Sequence, residues 1–188
     1  MATDRRVLAA GRVALATVLA AALAAAEPAA RALAAAHRAP AARAQVPASL
    51  RTSSELWATI DICNPPRERD TIGVRGSMPG DGHARDEMFM RFRVQYMDQR
   101  LRRWVDLASA DSGFLPVGSS RTARQGGRSF VLYPPTGGAA FVLRGVVSFQ
   151  WRRSAVVVAT LARATKAGHQ SVAGADPPNY SAATCRIG

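Results

Sequence analysis

Residues 88 to 97 alternate with a period of two. Met88, Met90, Phe92, Val94 and Tyr96 fall on one side, and Phe89, Arg91, Arg93, Gln95 and Met97 fall on the other. Successive strand side chains point to opposite faces of a sheet, so this spacing predicts a strand with the first set buried and most of the second exposed. The same period returns later, where Phe141, Leu143, Gly145, Val147, Phe149 and Trp151 form a more apolar face than Val142, Arg144, Val146, Ser148, Gln150 and Arg152. The β-branched run Val156-Val157-Val158, continuing to Thr165, reads as the partner of that second strand, with a hairpin break at Arg153-Ser154-Ala155. Weaker strands are predicted over 56–63, 71–77, 103–108, 129–133 and 182–187, which makes about eight.

The segments between them carry turn chemistry. Asn64-Pro65-Pro66, Met78-Pro79-Gly80-Asp81-Gly82, Gln125-Gly126-Gly127, Pro134-Pro135-Thr136-Gly137-Gly138 and 174–179 combine proline, which lacks a donor, with glycine, which admits positive φ. The stretch 109–124, with Gly113, Pro116 and Gly118, reads as a loop wrapping one end of the domain. Many short strands without intervening helices predict an all-β fold, a single antiparallel β-sandwich.

A separate composition occupies residues 1–44. Arg5 and Arg6 precede an uncharged run of 14 residues, Val13 to Ala26, rich in Ala, Leu and Val. That order of charge, short apolar stretch and small residues predicts an export signal, a signal helix too short to span a bilayer. Cleavage is expected after Ala44, with Ala26 as the alternative. The competing reading is an Ala-rich amphipathic or buried helix. Arg5-Arg6-Val7-Leu8 is also a loose twin-arginine pattern, and no cysteine follows the run to take a lipid. The predicted organisation is therefore a leader at 1–44, a linker at 45–54 and a β-sandwich at 55–188, secreted or held in the cell envelope, with no membrane span in the mature protein. In an oxidising compartment an even cysteine count reads as bridged, so Cys63 and Cys185 are expected to form a disulfide.

The segment 88–165 resembles the central strands of fibronectin type III and immunoglobulin-like domains. The residues that carry the likeness are the Phe92-Arg93-Val94-Gln95-Tyr96 strand, Trp104 in the next strand, and the Arg144 to Trp151 strand leading into Val156 to Leu161. The resemblance covers about half of the mature chain and implies two packed antiparallel sheets. An immunoglobulin disulfide joins central strands and has a tyrosine two residues before its second cysteine, whereas these cysteines lie near the domain ends and Tyr180 precedes Cys185 by five. It implies no catalytic residues.

Site chemistry is sparse. There is no G-x-S-x-G elbow, G-x-x-x-x-G-K loop, H-E-x-x-H pair or C-x-x-C motif, so no cofactor is expected and the chain reads as non-enzymatic. Asp81, His83, Asp86 and Glu87 offer oxygen ligands and one imidazole to a cation, although a solvated acidic loop is the plainer reading. His169, Asp176 and Ser171 are the residues an alternative reading, a small secreted hydrolase or metal-dependent enzyme, would need to bring together. Charge points elsewhere. Beyond residue 44 the chain holds 19 basic and 11 acidic side chains, a net +8, and Lys166 is the only lysine. Arg91, Arg93, Arg144 and Arg152 fall on outward strand positions, with Arg100, Arg102 and Arg103 between the two strands. If those strands are neighbours, the arginines form a positive face for anionic polymers, whether envelope polyanions, acidic glycans or nucleic acid. The ordinary solvated side of a sandwich, or a face for another protein, is the competing reading. Trp57, Trp104 and Trp151 are expected in the core or at sheet edges.

Overall fold

The alternation is realised as two antiparallel sheets packed face to face. The computed structural model describes residues 46–169 and 173–188, so the leader at 1–44 lies outside the described residues. After a single helical turn, α1 (Ala48–Thr52), the strands are β1 (Trp57–Cys63), β2 (Thr71–Met78), β3 (Asp86–Asp98), β4 (Arg103–Ser119), β5 (Arg124–Val131), β6 (Phe141–Arg153), β7 (Val156–Ala164) and β8 (Cys185–Ile187). The small sheet has the order β1-β2-β5. The large sheet has the order β4-β3-β6-β7, with β8 also paired to β6. β8 opposes Phe141 to Leu143 and β7 opposes Val146 to Arg153, so the two lie end to end along one edge of β6.

Between the sheets lie Ile60, Ile72, Val74 and Met78 from the small sheet and Met88, Met90, Phe92, Val94, Leu143, Val147, Phe149 and Trp151 from the large one, all buried. Each such side chain contributes about 1.5–3 kcal/mol relative to exposure, so this layer dominates the energetics of the fold. The sheets come close where one presents a glycine. A Cβ at Gly145 on β6 would lie 2.6 Å from Val74 Cγ1 and 2.7 Å from Thr165 Cγ2. The expected β6–β7 hairpin closes in two residues, since Arg153 still belongs to β6, with Ser154 and Ala155 both at positive φ, 45° and 68°, the type I′ geometry that suits the twist of antiparallel strands.

Two expectations are corrected. Most of the stretch 109–124 is strand, with β4 running on to Ser119. β4 pairs with β3 alone and shifts register three times, and it carries Pro116 and two positive-φ glycines. Bulges and proline are the devices of an edge strand, and they erase the period-two signal. Gln125-Gly126-Gly127 likewise lies inside β5, paired with β2, because a Cβ at Gly126 would stand only 3.5 Å from Phe92 Cζ and 3.4 Å from Met90 Sδ across the core.

The cysteines do pair. Cys63 and Cys185 are disulfide-bonded with Cα atoms 5.6 Å apart, which ties β1 of the small sheet to β8 of the large one. By strict alternation Cys63 would share the side of Trp57 and oppose that of Ile60. β1 avoids this with a bulge: Ile60 pairs with Val74 and Ile62 with Gly73, leaving Asp61 as the extra residue. One inserted residue reverses the facing of everything after it. Cys63 then sits opposite the buried Ile72. The bulged Asp61 carboxylate accepts from Arg75 Nε at 2.7 Å, and a Cβ on Gly73 would stand 2.6 Å from Asp61 Oδ1, so glycine is required beside the bulge.

The bridge closes a sequence separation of 122 residues, for which chain-entropy arguments give stabilisation of about 4–5 kcal/mol and measured cases about 2–5 kcal/mol. Replacing both cysteines by alanine is therefore expected to lower the unfolding free energy by about 2–5 kcal/mol, read as a reduced urea midpoint with a steeper slope, since the unfolded chain without the cross-link exposes more surface.

Candidate functional site

Burying the even face of β3 and the odd face of β6 leaves their other side chains on the outer face of the large sheet. Phe89, Arg91, Arg93 and Gln95 lie on β3 beside Gln150, Ser148, Val146 and Arg144 of β6, in that register. Arg152 lies opposite Glu87. The strands are direct neighbours, and the arginines expected to face outward share one surface.

They are not equivalent. Arg91 donates from Nε to Asp111 Oδ1 at 2.8 Å, and its Nη2 donates to the other carboxylate oxygen. Arg93 donates from Nη1 to Asp106 Oδ2 at 2.9 Å, and its Nε is buried without a partner among the described residues. Arg144 has a neutral acceptor, donating from Nε to Gln95 Oε1 at 2.8 Å, and its guanidinium lies 4.4 Å from the Trp104 ring centroid. Gln95 in turn donates to Asp106 Oδ1 at 2.7 Å. Arg152 donates from Nε and Nη2 to Gln150 Oε1 and stacks 3.9 Å over Phe89, with Phe114 at 5.4 Å. The result is a lattice of arginines interleaved with Phe89, Trp104 and Phe114.

β4 supplies both carboxylates and two of the three rings, and it does so through its bulges. The shift between Arg91 and Arg93 brings Asp111 opposite Arg93, and the next shift brings Asp106 opposite Gln95. Ser112, at the first shift, accepts from the Phe92 amide at 2.9 Å and so covers a donor that the interrupted ladder leaves open. Sequence reading missed Asp111 and Phe114 because 109–124 reads as loop, and it missed Asp106, in the predicted strand 103–108, because only the cross-strand register sets it beside Gln95.

Arg100 and Arg102 lie in the exposed β3–β4 turn, and Arg103 starts β4 opposite Asp98. One further arginine joins this face: Arg186 on β8 is exposed and pairs with Val142, two residues from Arg144. Its position in the last strand, far from 88–152 in sequence, hid it.

The acidic loop after β2 is held by buried groups. The Trp151 indole donates to the Pro79 carbonyl at 3.0 Å, and buried Ser120 accepts from the Asp81 amide through its hydroxyl at 3.0 Å. Asp81, His83 and Asp86 come together with ligand atoms within 4.8 Å of one another, while Glu87 points away as an exposed β3 residue. Asp86 is buried, and both its oxygens accept from Arg153 at 2.8 Å, which holds its pKa below the usual carboxylate value. A carboxylate already matched by a bidentate guanidinium is a poor metal ligand.

His83 lines a groove of about 430 Å³ with Trp151, Arg153 and α1, whereas His169 lines a different one with Trp57 and Lys166. The His169 ring stacks on Trp57 at 4.5 Å, and burial lowers its pKa. Asp176 is tied through its amide to the Asp61 carbonyl at 3.0 Å, and Ser171 lies outside the described residues. A third cleft of about 330 Å³, lined by Tyr96, Val131, Tyr133, Phe141 and Ile187 among others, has no charged side chain. No helix among the described residues is long and apolar enough to cross a membrane.

No family model matches the chain, and no curated protein matches it. Among solved structures it is similar to the Pseudomonas fluorescens alkylpurine DNA glycosylase AlkC bound to DNA containing an abasic site analog, at 10% identity and a TM-score of 0.30. The match covers 59% of this chain and 29% of that one. A likeness of that size carries no argument about function.

The Arg91 guanidinium holds the Asp111 carboxyl down to about 2, against an ordinary value of 3.8. A carboxyl whose pKa is lower in the folded state stabilises the fold above its unfolded value, and that contribution is lost as pH falls through the folded one. Stability measured by urea unfolding is expected to decline as pH falls from about 4 to about 2, and Asp111→Asn should make that decline shallower.

Proposed function

We propose that this chain is an exported, non-enzymatic β-sandwich module of the cell envelope or extracellular space that binds anionic polymers through the outer face of its large sheet. The observation that carries the reading is the arginine lattice: ring stacking and amide acceptors hold Arg144 and Arg152 in place without cancelling their charge. Several fixed cations on one plane raise the local potential and favour polyanions by counterion release. Export is supported by the order of charge and apolar residues in 1–44 and by the disulfide, a bond that persists in oxidising compartments.

The finer reading of the fold is immunoglobulin-like. It is supported by the order β1-β2-β5 facing β4-β3-β6-β7, in which β3-β6-β7 correspond to the C, F and G strands of such domains. Leu50 of α1 belongs to the same core, which supports drawing the boundary of the sandwich at α1 instead of residue 55. A loop hydrolase would need His83 and His169 at one centre, and the separate grooves they line favour the binding module.

Two measurements test the reading. Mass spectrometry of the exported protein is expected to find a mature N-terminus at Gln45, or at Glu27 if the earlier site is cut, and recovery of full-length chain from the cytosol alone would overturn export. Retention on immobilised heparin at low ionic strength is expected to weaken steeply with added salt, and no retention at low salt would overturn the anion-binding role.

A further inference from the structure

We infer that Arg144 and Arg152 are the pre-ordered pair of anion-contacting groups on the outer face, spaced along β6 to bridge two acidic groups of one polysaccharide chain. This rests on the anion-binding reading above and assigns both its residues and its partner.

The assignment of residues follows from what each guanidinium already holds. Arg91 is matched by Asp111, Arg93 by Asp106 and Arg153 by Asp86. A charge paired with a carboxylate has little left for a ligand, since a new anion would have to displace the old one or sit beside it. Arg144 and Arg152 have no carboxylate partner among the described residues, and their acceptors are the neutral amide oxygens of Gln95 and Gln150. Each also lies over a ring, Trp104 or Phe89, whereas the exposed Arg100, Arg102 and Arg186 lie over none among the described residues, so these two side chains are ordered before any ligand arrives and lose less rotamer entropy on binding.

Spacing selects for a polymer. The two residues are eight apart on one strand and share a face, which separates them by about 27 Å at the usual rise of a strand. Val146, Ser148 and Gln150 lie between them on the same face, the last two neutral polar groups suited to hydroxyls. A single small anion engages one guanidinium, whereas a chain long enough to reach both gains the advantage of the second contact at high effective concentration.

The rings decide the kind of polymer. Single-stranded nucleic acid binds by stacking its bases on open aromatic faces. Here Phe89 and Trp104 are each covered by a guanidinium, and Phe114 lies under Arg91 and Arg152. A partner that brings charge and hydroxyls without bases fits this surface, which is an acidic polysaccharide carrying sulfate or uronate groups.

Heparin-derived oligosaccharides of graded length, titrated calorimetrically into the mature chain, test this. Affinity is expected to rise about tenfold or more once the oligomer is long enough to span both arginines. Arg144→Gln and Arg152→Gln are each expected to abolish that rise, while Arg67→Gln with Arg69→Gln, in the β1–β2 loop, leaves it in place. Thermal melts check folding, and if Arg144→Gln unfolds, Arg144→Lys, which keeps the charge but loses the stacked fork, is expected to weaken the rise, an undiminished rise counting against the assignment. A length-dependent rise that survives both glutamine variants would overturn this inference while leaving the anion-binding face standing. Binding of single-stranded DNA as tightly as the longest oligosaccharide would overturn the choice of partner, and no binding of any oligomer by the unaltered chain would remove the anion-binding reading itself.

Discussion

Burial of one face of β3 and β6 against the small sheet is the constraint on which the rest depends. Met88, Met90, Phe92 and Val94 face inward with Val147, Phe149 and Trp151, and because strand side chains alternate, no freedom remains for Phe89, Arg91, Arg93, Arg144 or Arg152. A shift of one residue in either strand would place arginines in the core. Core packing therefore positions the candidate face.

The forces within that face are weaker and serve a different end. An exposed ion pair contributes about 0–1 kcal/mol and an exposed cation–π contact about 0.5–1 kcal/mol, small beside the burial of twelve large apolar side chains. Their consequence is geometric. Asp106 and Asp111 neutralise two arginines, and Trp104 and Phe89 immobilise two others, so a surface that is uniformly basic in composition becomes a pattern of cancelled and retained charge. β4 makes the pattern because its bulges bring carboxylates and rings over β3 at spacings a regular strand would not provide. The bulge at Asp61 acts similarly in the core, turning Cys63 toward β8 so that the disulfide joins the two sheets.

The most legible elements were those under the strongest burial constraint. β3 and β6 show clean alternation since each is paired on both sides and packed on one face, and the turn at Ser154-Ala155 was marked by the break between two apolar runs. β4 and β5 were misread where Gly113, Pro116, Gly118 and Gly126-Gly127 look like turns. At an edge, proline costs no ladder bond on its open side, and glycine at 126 leaves room for the Val117 side chain of β4. The arginines could be assigned to an outer face by parity alone, but neither the partners of Arg91 and Arg93 nor the membership of Arg186 could be read, since each depends on which distant strand lies alongside.

From the sequence alone come the sandwich class, the inward and outward sides of the two central strands and the pairing of the only two cysteines, because alternation and an even cysteine count are local or compositional properties. The tertiary structure decided which arginines are paired with a carboxylate, which loop residues meet and which face Cys63 takes. Those depend on register across strands far apart in the chain, and a single bulged residue is enough to reverse them.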